Sequence, residues 1–254
     1  MKNNYIKNGY IYLPDFFTDK ELSEIKPVLL KFHKAWIADN QPFYHEKAVN
    51  SAYLTGTKYL NNLERLVLFK LIASEKIAYL LQSLPFQNPA FMNTQLFFNP
   101  HNPHQKNYWH RDPQYHLPEE QQKQALKGPE VIHLRIPLEN EPGIELIPGT
   151  HKNWDSKEEL AIRLEKNGKK NHENLSTGKV IPLQKGDLLL FSANMIHRGL
   201  YGKDRLALDV LFCEADPELL SFADKNCMPD EASMNLIDRP EPFANTLRIM
   251  TKQP

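Results

Sequence analysis

The segment NYWHRDPQYH, residues 107–116, places a histidine and an aspartate two residues apart, His110 and Asp112. On an extended segment, side chains at i and i+2 point to the same side, so these two could offer an imidazole nitrogen and a carboxylate oxygen to one metal ion. The letters H-R-D also suggest a protein-kinase catalytic loop, which requires an asparagine five residues after the aspartate. That position is Leu117, and the sequence has no glycine-rich nucleotide loop, so we exclude a kinase.

A third ligand is needed before this pair indicates a metal site, and the segment GDLLLFSANMIHRGL, residues 186–200, supplies His197. Its apolar run predicts a buried strand, and His197 follows just after that strand. Two histidines and one carboxylate on one face of an octahedron leave three positions open, as in non-haem Fe(II) oxygenases. The alternatives are a solvated turn with no metal and a zinc hydrolase on the same residues, for which no residue is a convincing general base.

Arg205 begins the segment RLALDVLF, eight residues after His197. Its planar guanidinium can bind a carboxylate through two hydrogen bonds, and the cosubstrate 2-oxoglutarate has a distal carboxylate that needs such a partner. The alternative for Arg205 is a surface ion pair with Asp204 or Asp187.

Three more side chains are candidates for the same pocket. Gln95 lies on the predicted strand FMNTQLFF and either binds 2-oxoglutarate or faces solvent. His133 and Arg135 point to the same side of VIHLRIPL, and Arg135 is the better candidate for binding an anionic group. An inward-facing arginine should have a carboxylate partner, because a buried unpaired charge is costly.

Helices are predicted in the first third of the chain. Residues 18–36 begin with capping-box spacing at Thr18 and then carry apolar residues at helical spacing, although Pro27 predicts a kink or break. Residues 61–84 predict a second helical run, broken near Ala73–Ser74.

Strands are predicted from about residue 91 onwards, where short apolar runs alternate with turns rich in proline and glycine. The predicted strands are residues 91–98, 131–138, 144–147, 179–183, 187–192 and 205–214.

Short strands with few helices between them predict a barrel or a double-sheet jelly roll. A charged helix over residues 156–170 interrupts the strands, and its composition favours a solvated surface connection over a lid. The segment after Asp216 is expected to wrap the outside. We expect one domain over residues 1–254, with a mostly helical flank at about 1–90, a jelly-roll core at about 91–214 and a C-terminal wrap at 215–254.

Composition limits the class of protein. Of 254 residues, 41% are hydrophobic, which is enough for a substantial core. Lys plus Arg and Asp plus Glu each number 31, so the balanced charge does not indicate a nucleic-acid partner. Two cysteines do not make a disulfide framework, and neither a signal peptide nor a membrane-spanning apolar run is evident. We expect a cytoplasmic protein with a small-molecule substrate and no nucleic-acid or membrane partner.

Five ordered blocks between about residues 8 and 214 resemble the phytanoyl-CoA dioxygenase family of Fe(II)/2-oxoglutarate oxygenases. They are NGYIYLPDFFTDKELSEIK, WHRDPQYH, RIPLENEPGIELIPGTHK, VIPLQKGDLLLFSANMIHRGL and the segment that begins at Arg205. The resemblance implies a mainly β, cupin-like double-stranded β-helix (a jelly roll) with flanking N-terminal helices. It also implies that His110, Asp112 and His197 are iron ligands and that Arg205 anchors 2-oxoglutarate.

The reaction implied by this resemblance is hydroxylation of a C–H bond in a small organic substrate. Fe(II) is the metal, 2-oxoglutarate and O2 are the cosubstrates, and succinate and CO2 are released. Asp112 predicts hydroxylation and not halogenation, because related halogenases lack this carboxylate so that halide can bind there. The sequence departs from the family pattern at Gly199, where some members carry a hydroxyl residue, and at Arg135, where several have an aromatic residue. A catalytically inactive small-molecule-binding protein of the same fold is the alternative.

Overall fold

The computed structural model describes residues 1–251, and its strands form two antiparallel sheets. The strands are β1 (Tyr10–Leu13), β2 (Asn50–Ala52), β3 (Pro89–Phe98), β4 (Val131–Pro137), β5 (Glu141–Leu146), β6 (Lys179–Leu183), β7 (Leu188–Ser192), β8 (His197–Gly199) and β9 (Leu206–Glu214). The larger sheet has the order β1-β7-β4-β9-β3-β2, and the smaller has the order β6-β5-β8. This is the predicted double-stranded β-helix.

Among the described residues, helices lie before β1, after β9 and in four of the connections between strands. They are α1 (Lys2–Asn8), α2 (Asp19–Asp39), α3 (Gln41–Glu46), α4 (Asn62–Ile72), α5 (Glu75–Gln82), α6 (Glu119–Ala125), α7 (Lys157–Arg163), α8 (Glu231–Met234) and α9 (Glu241–Met250). Short 3-10 helices cover Asp112–Tyr115, Leu219–Phe222 and Lys225–Cys227. Within residues 1–251, no helix combines the length and hydrophobicity that a bilayer-spanning segment needs.

The larger sheet is buried on both faces. Alternate residues of its central strands, such as Leu134 of β4 and Val210 of β9, share one hydrophobic core with α2, α4, α5 and α9. Because side chains alternate along a strand, the intervening residues face the opposite way, towards the smaller sheet. On β4 and β9 these residues include His133, Arg135 and Asp209, which are therefore polar groups inside the molecule.

The helical predictions are confirmed apart from one break. Thr18 makes the expected capping box with Glu21, and the run 61–84 is divided into α4 and α5. Helix α2, however, continues through Pro27, so of the kink or break predicted there the break is wrong. Pro27 lies on the exposed face, and buried residues on both sides of it, such as Leu22 and Leu29, hold the helix against the core.

The prediction for residues 156–170 is wrong in both length and environment. Helix α7 ends at Arg163, and the backbone then takes left-handed φ values at Glu165, Asn167 and Gly168, which a helix cannot contain. Glu159, Ile162 and Arg163 are buried, so α7 packs into the protein and is not a solvated excursion.

Candidate active site

His110 and His197 lie opposite each other in an antiparallel backbone bridge. The His110 amide donates to the His197 carbonyl at 3.0 Å, and the His197 amide donates to the His110 carbonyl at 2.9 Å. Directly opposite residues in such a pair present their side chains on the same face. The two imidazole centroids are accordingly 4.2 Å apart, although the residues are far apart in the chain.

Asp112 completes the group of candidate ligands. Its amide donates to the Ala193 carbonyl at 3.1 Å, which fixes the backbone two residues beyond His110. Its Oδ1 lies 3.5 Å from His110 Nε2 and 3.7 Å from His197 Nε2. One ligand atom from each residue lies within 4.8 Å of the other two, so a single ion could contact all three.

Backbone carbonyls determine which imidazole nitrogens are free. His110 Nδ1 lies 3.1 Å from the Tyr108 carbonyl oxygen, and His197 Nδ1 lies 3.0 Å from that of Met195. A carbonyl only accepts hydrogen bonds, so each Nδ1 carries the hydrogen and each Nε2 has a free lone pair, as in many metal sites. Burial lowers the pKa of His110, and burial with His110 nearby lowers the pKa of His197 to about 3.

The charge state of this group suits a divalent iron. Burial disfavours a charge on Asp112, but its interactions with His133, followed by those with His197 and His110, bring the pKa of the carboxyl well below its usual range. Two neutral imidazoles and one carboxylate are therefore available at neutral pH. This donor set, with no further ligand from the protein, is the one expected at a non-haem Fe(II) centre.

Arg111, between the two candidate ligands in sequence, fixes their segment to the protein. Its side chain is 1% exposed, and its Nε donates to Asp155 Oδ1 at 2.9 Å. Its remaining nitrogens donate to the backbone carbonyls of Thr150, Asn153 and Asn194. This role could not be predicted from the sequence, because the partners lie in segments far from residue 111.

Helix α7 supports the same segment through a second arginine. Arg163 Nε donates to Asp155 Oδ2 at 2.7 Å, so one buried carboxylate binds Arg163 and Arg111 together. Arg163 also donates to Gln114, in the 3-10 helix that starts at Asp112, and to Gln122 of α6.

His133 contacts the carboxylate of Asp112 from inside the larger sheet. Its Nε2 lies 2.7 Å from Asp112 Oδ2, its Nδ1 lies 3.1 Å from Asp209 Oδ2, and the ring is 3% exposed. Burial opposes a charge on His133, but the two carboxylates outweigh burial and raise its pKa to about 9.

Arg135 is fully buried and has carboxylate partners, as we expected for an arginine that faces inwards. Its Nε donates to Glu141 Oε1 at 3.1 Å, and one terminal nitrogen donates to Asp209 Oδ1 at 3.0 Å. Its guanidinium carbon lies 4.4 Å from the centroid of the Phe97 ring. Glu141 and Asp209 were not singled out in the sequence, because neither has a local pattern that predicts burial of a charge.

Arg205 is 3% exposed, so the surface ion pair considered for it is wrong. Its terminal nitrogen donates to the Phe98 carbonyl at 3.3 Å, and its Nε lies 3.5 Å from Glu141 Oε2. Burial, with Arg135 nearby, lowers the pKa of Arg205 to about 10, which leaves the side chain positively charged at neutral pH.

Gly199 gives the guanidinium of Arg205 its space. A Cβ on Gly199 would lie 2.5 Å from a terminal nitrogen of Arg205. The rings of Phe97 and Tyr201 each lie with their centroids 5.4 Å from the Arg205 guanidinium carbon. The residue that departs from the family pattern is thus a structural requirement of the arginine's present position.

A cavity of about 480 Å³ opens onto the candidate ligands. Gln95 and Arg135 both line this cavity, so Gln95 lies within reach of a molecule bound there. Its outer wall includes Tyr53 from the N-terminal part of the chain and Leu219 and Phe222 from the segment predicted to wrap the outside. Most of the surface that lines the cavity is apolar.

Comparisons with known proteins agree with this architecture. The family model for phytanoyl-CoA dioxygenase (PhyH) matches residues 5–201. Among curated protein sequences, none matches the chain significantly.

Several solved structures share the fold at low sequence identity. AviO1 from Streptomyces viridochromogenes Tue57 is 15% identical, with 84% of this chain and 92% of that chain covered and a TM-score of 0.56. EctD from S. alaskensis, solved with 2-oxoglutarate and 5-hydroxyectoine, is 16% identical, with 84% and 74% covered and a TM-score of 0.56. The epimerase SnoN, solved with Fe3+, alpha ketoglutarate and nogalamycin RO, is 15% identical, with 84% and 82% covered and a TM-score of 0.51.

Proposed function

This chain belongs to the phytanoyl-CoA dioxygenase family, and we propose that it is an Fe(II)/2-oxoglutarate-dependent dioxygenase that hydroxylates a C–H bond of a small organic molecule. The observation that carries the proposal is the convergence of His110, Asp112 and His197, with both Nε2 atoms free and one carboxylate oxygen close to them. We also propose that the whole chain acts as one domain, since β1 and β2 pair with strands of the jelly-roll core.

In this proposal His110, Asp112 and His197 hold Fe(II). When bound, the iron and 2-oxoglutarate together activate O2, so that 2-oxoglutarate is converted to succinate and CO2 while one oxygen atom is inserted into the substrate C–H bond. The backbones of the three residues are held by hydrogen bonds without a metal, and Arg111 anchors the segment between His110 and Asp112. Preorganised ligands of this kind reduce the cost of ordering the site.

We propose that Arg205 binds the distal carboxylate of 2-oxoglutarate. Its charge is balanced less completely than that of Arg135, because its nearest carboxylate atom lies 3.5 Å away, whereas Arg135 has direct hydrogen bonds to two carboxylates. Arg135 and Gln95 both line the cavity and supply further hydrogen-bond donors on its wall. These two residues are therefore proposed to assist Arg205 in cosubstrate binding.

The prime substrate is proposed to occupy the outer, apolar part of the cavity. A cavity of about 480 Å³ is in the range that encloses a small organic molecule. Arg135 is the sole lysine or arginine among the described residues that line it, and Asp209 and Glu141 already balance its charge. We therefore propose a substrate without phosphate groups. Glu218, an exposed residue, also lines the cavity and carries a negative charge.

The test is an anaerobic titration with Fe(II) and 2-oxoglutarate, followed by exposure to O2. We expect both to bind and succinate to form slowly even without prime substrate. Substitution of Asp112 by Ala should abolish metal binding and succinate formation, whereas Asp204→Ala, at an exposed position, should leave both unchanged.

The outcomes separate the proposal from its rivals. A wild-type protein that binds neither Fe(II) nor 2-oxoglutarate contradicts the oxygenase. One that binds both but yields no succinate, even with a broad mixture of candidate substrates, supports an inactive small-molecule-binding protein of this fold. Mass spectrometry of the same mixture after incubation would identify a hydroxylated product by its added oxygen atom.

A further inference from the structure

His133 is held in one orientation between two carboxylates. Its Nε2 lies 2.7 Å from Asp112 Oδ2 and its Nδ1 lies 3.1 Å from Asp209 Oδ2. The ring also stacks on Phe191, with centroids 4.8 Å apart and planes inclined by 12°. Two hydrogen-bond partners and one stacking partner leave the ring no freedom to rotate.

The direction of these hydrogen bonds follows from the chemistry of the partners. A carboxylate oxygen only accepts, so the ring donates from Nε2 to Asp112 and from Nδ1 to Asp209. Asp112 Oδ2 is thereby occupied by His133. The other oxygen, Oδ1, is the one that lies 3.5 Å from His110 Nε2 and 3.7 Å from His197 Nε2.

We propose that His133 is a positioning residue that restricts Asp112 to a single oxygen towards the metal, an inference that rests on the proposed function. A carboxylate can coordinate a cation through one oxygen or through two. Coordination by both oxygens would use one of the three positions that the two histidines and one aspartate leave for 2-oxoglutarate and O2. By donating to Oδ2, His133 keeps that position open.

The same hydrogen bonds connect the metal ligand with the cosubstrate end of the cavity. Asp209 accepts from His133 through Oδ2 and from Arg135 through Oδ1. Asp209 in turn is 1% exposed, so water does not compete for these bonds. Asp209, itself held by Arg135, therefore orients the His133 ring independently of any metal.

A matched pair of substitutions tests the role of the Nε2 donor. The amide nitrogen of Gln takes the place of imidazole Nε2, so His133→Gln keeps a donor towards Asp112. The amide nitrogen of Asn takes the place of Nδ1, so His133→Asn keeps a donor only towards Asp209. Mn(II) binding by isothermal titration calorimetry and melting temperature are measured for both variants and for the wild-type protein.

We expect His133→Asn to bind Mn(II) about 10–100-fold more weakly than the wild-type protein, the usual loss when a metal ligand loses its hydrogen-bond partner. His133→Gln should retain most of the affinity. A crystal structure of Mn(II)-bound His133→Asn should then show both oxygens of Asp112 on the metal. Weakened 2-oxoglutarate binding to this Mn(II)-bound variant would support the same conclusion.

Equal Mn(II) affinities for the Asn and Gln variants would overturn the inference, whatever their melting temperatures. So would a Mn(II)-bound Asn variant in which Asp112 still coordinates through Oδ1 alone. These results concern His133 only, because the wild-type protein would still bind Mn(II) and 2-oxoglutarate. A wild-type protein that binds neither would instead contradict the proposed function and this inference with it.

Discussion

Gly199 determines whether Arg205 can reach its present position. The family pattern allows a hydroxyl residue at 199, but a Cβ there would lie 2.5 Å from the Arg205 guanidinium. The guanidinium cannot retreat freely, since it lies buried beside the rings of Phe97 and Tyr201. In this chain the position of the arginine therefore depends on the glycine.

We predict that Gly199→Ser weakens 2-oxoglutarate binding by about 10-fold or more, because a displaced arginine loses charged hydrogen bonds worth about 1.5–3 kcal/mol. Mn(II) affinity should not change, since the three atoms nearest to a Cβ at position 199 all belong to Arg205. Titration of 2-oxoglutarate into the Mn(II)-bound protein measures the effect. Gly168→Asn is the control, since a Cβ there has nothing within 4 Å and Asn tolerates the left-handed backbone. Unchanged 2-oxoglutarate affinity in Gly199→Ser would contradict the role of Arg205.

His151 lies buried in a turn that follows β5, and its protonation makes the stability of the protein sensitive to acid. Burial, with Lys152 and Arg111 nearby, lowers its pKa to about 4 from a usual 6.5. Between these two pH values the unfolded chain binds a proton that the folded protein does not, so the free energy of unfolding falls as pH decreases from 6.5 towards 4. We predict that His151→Gln has a shallower fall over this range, by up to about 1.4 kcal/mol per pH unit. Urea unfolding at several pH values measures the pH dependence of the free energy of unfolding for both proteins. An equal dependence in the two would contradict the role of His151.

Single residues were predictable from the sequence where local spacing carries the chemistry. The i, i+2 spacing of His110 and Asp112 and the apolar run before His197 were enough to bring the three together, and the structure does so. The partners of these residues were not predictable. Arg111 and His133 bind groups on other strands and segments, and only the folded chain brings those groups close.

At the scale of elements, α7 and the segment around Arg111 form one unit through Asp155. This carboxylate is buried and accepts from both Arg111 and Arg163. A helix far from the candidate ligands in sequence therefore helps to hold them, although the sequence suggested a solvated connection.

We predict that Arg111→Met lowers the free energy of unfolding by about 3–5 kcal/mol, because it removes one of the two arginines that donate to the buried Asp155 and leaves several backbone carbonyls buried without a donor. Mn(II) binding should weaken as well, since Arg111 holds the segment between His110 and Asp112. Urea unfolding and metal titration measure the two effects. As a control, Lys170→Met removes only an exposed pair with Glu165, and the stability should change by less than about 1 kcal/mol. An Arg111→Met protein as stable as the control would contradict this view of α7.

Elements were predictable in proportion to their own signal. Apolar runs predicted the strands of the core. In contrast, β1, β2 and β8 are only three or four residues long, and pairing with neighbouring strands stabilises them. The end of α7 did have a signal in the sequence, the Asn167–Gly168 pair, which favours a turn. At Pro27 the propensity argument was wrong because core packing on both sides of the proline stabilises the helix.

At the scale of the whole molecule, the distribution of charge predicts which substrates are excluded. Coenzyme A carries phosphates that need cationic partners, and among the described cavity-lining residues the one arginine is already paired with two carboxylates. We predict that coenzyme A does not bind the Mn(II)- and 2-oxoglutarate-loaded protein more tightly than about 1 mM. Isothermal titration calorimetry tests this, with 2-oxoglutarate itself as the positive control. Micromolar, salt-sensitive binding of coenzyme A would contradict the proposed substrate class.

The pairing of β1 with β7 also has a consequence for the synthesis of the protein. Tyr10 is matched with Phe191, so β1 has no neighbour in the sheet until β7 has also been translated. Pairing across so long a stretch of chain is slow. His110 likewise gains its opposite residue only when His197 has emerged. The nascent polypeptide therefore cannot offer all three candidate ligands to one metal ion before His197 has been translated.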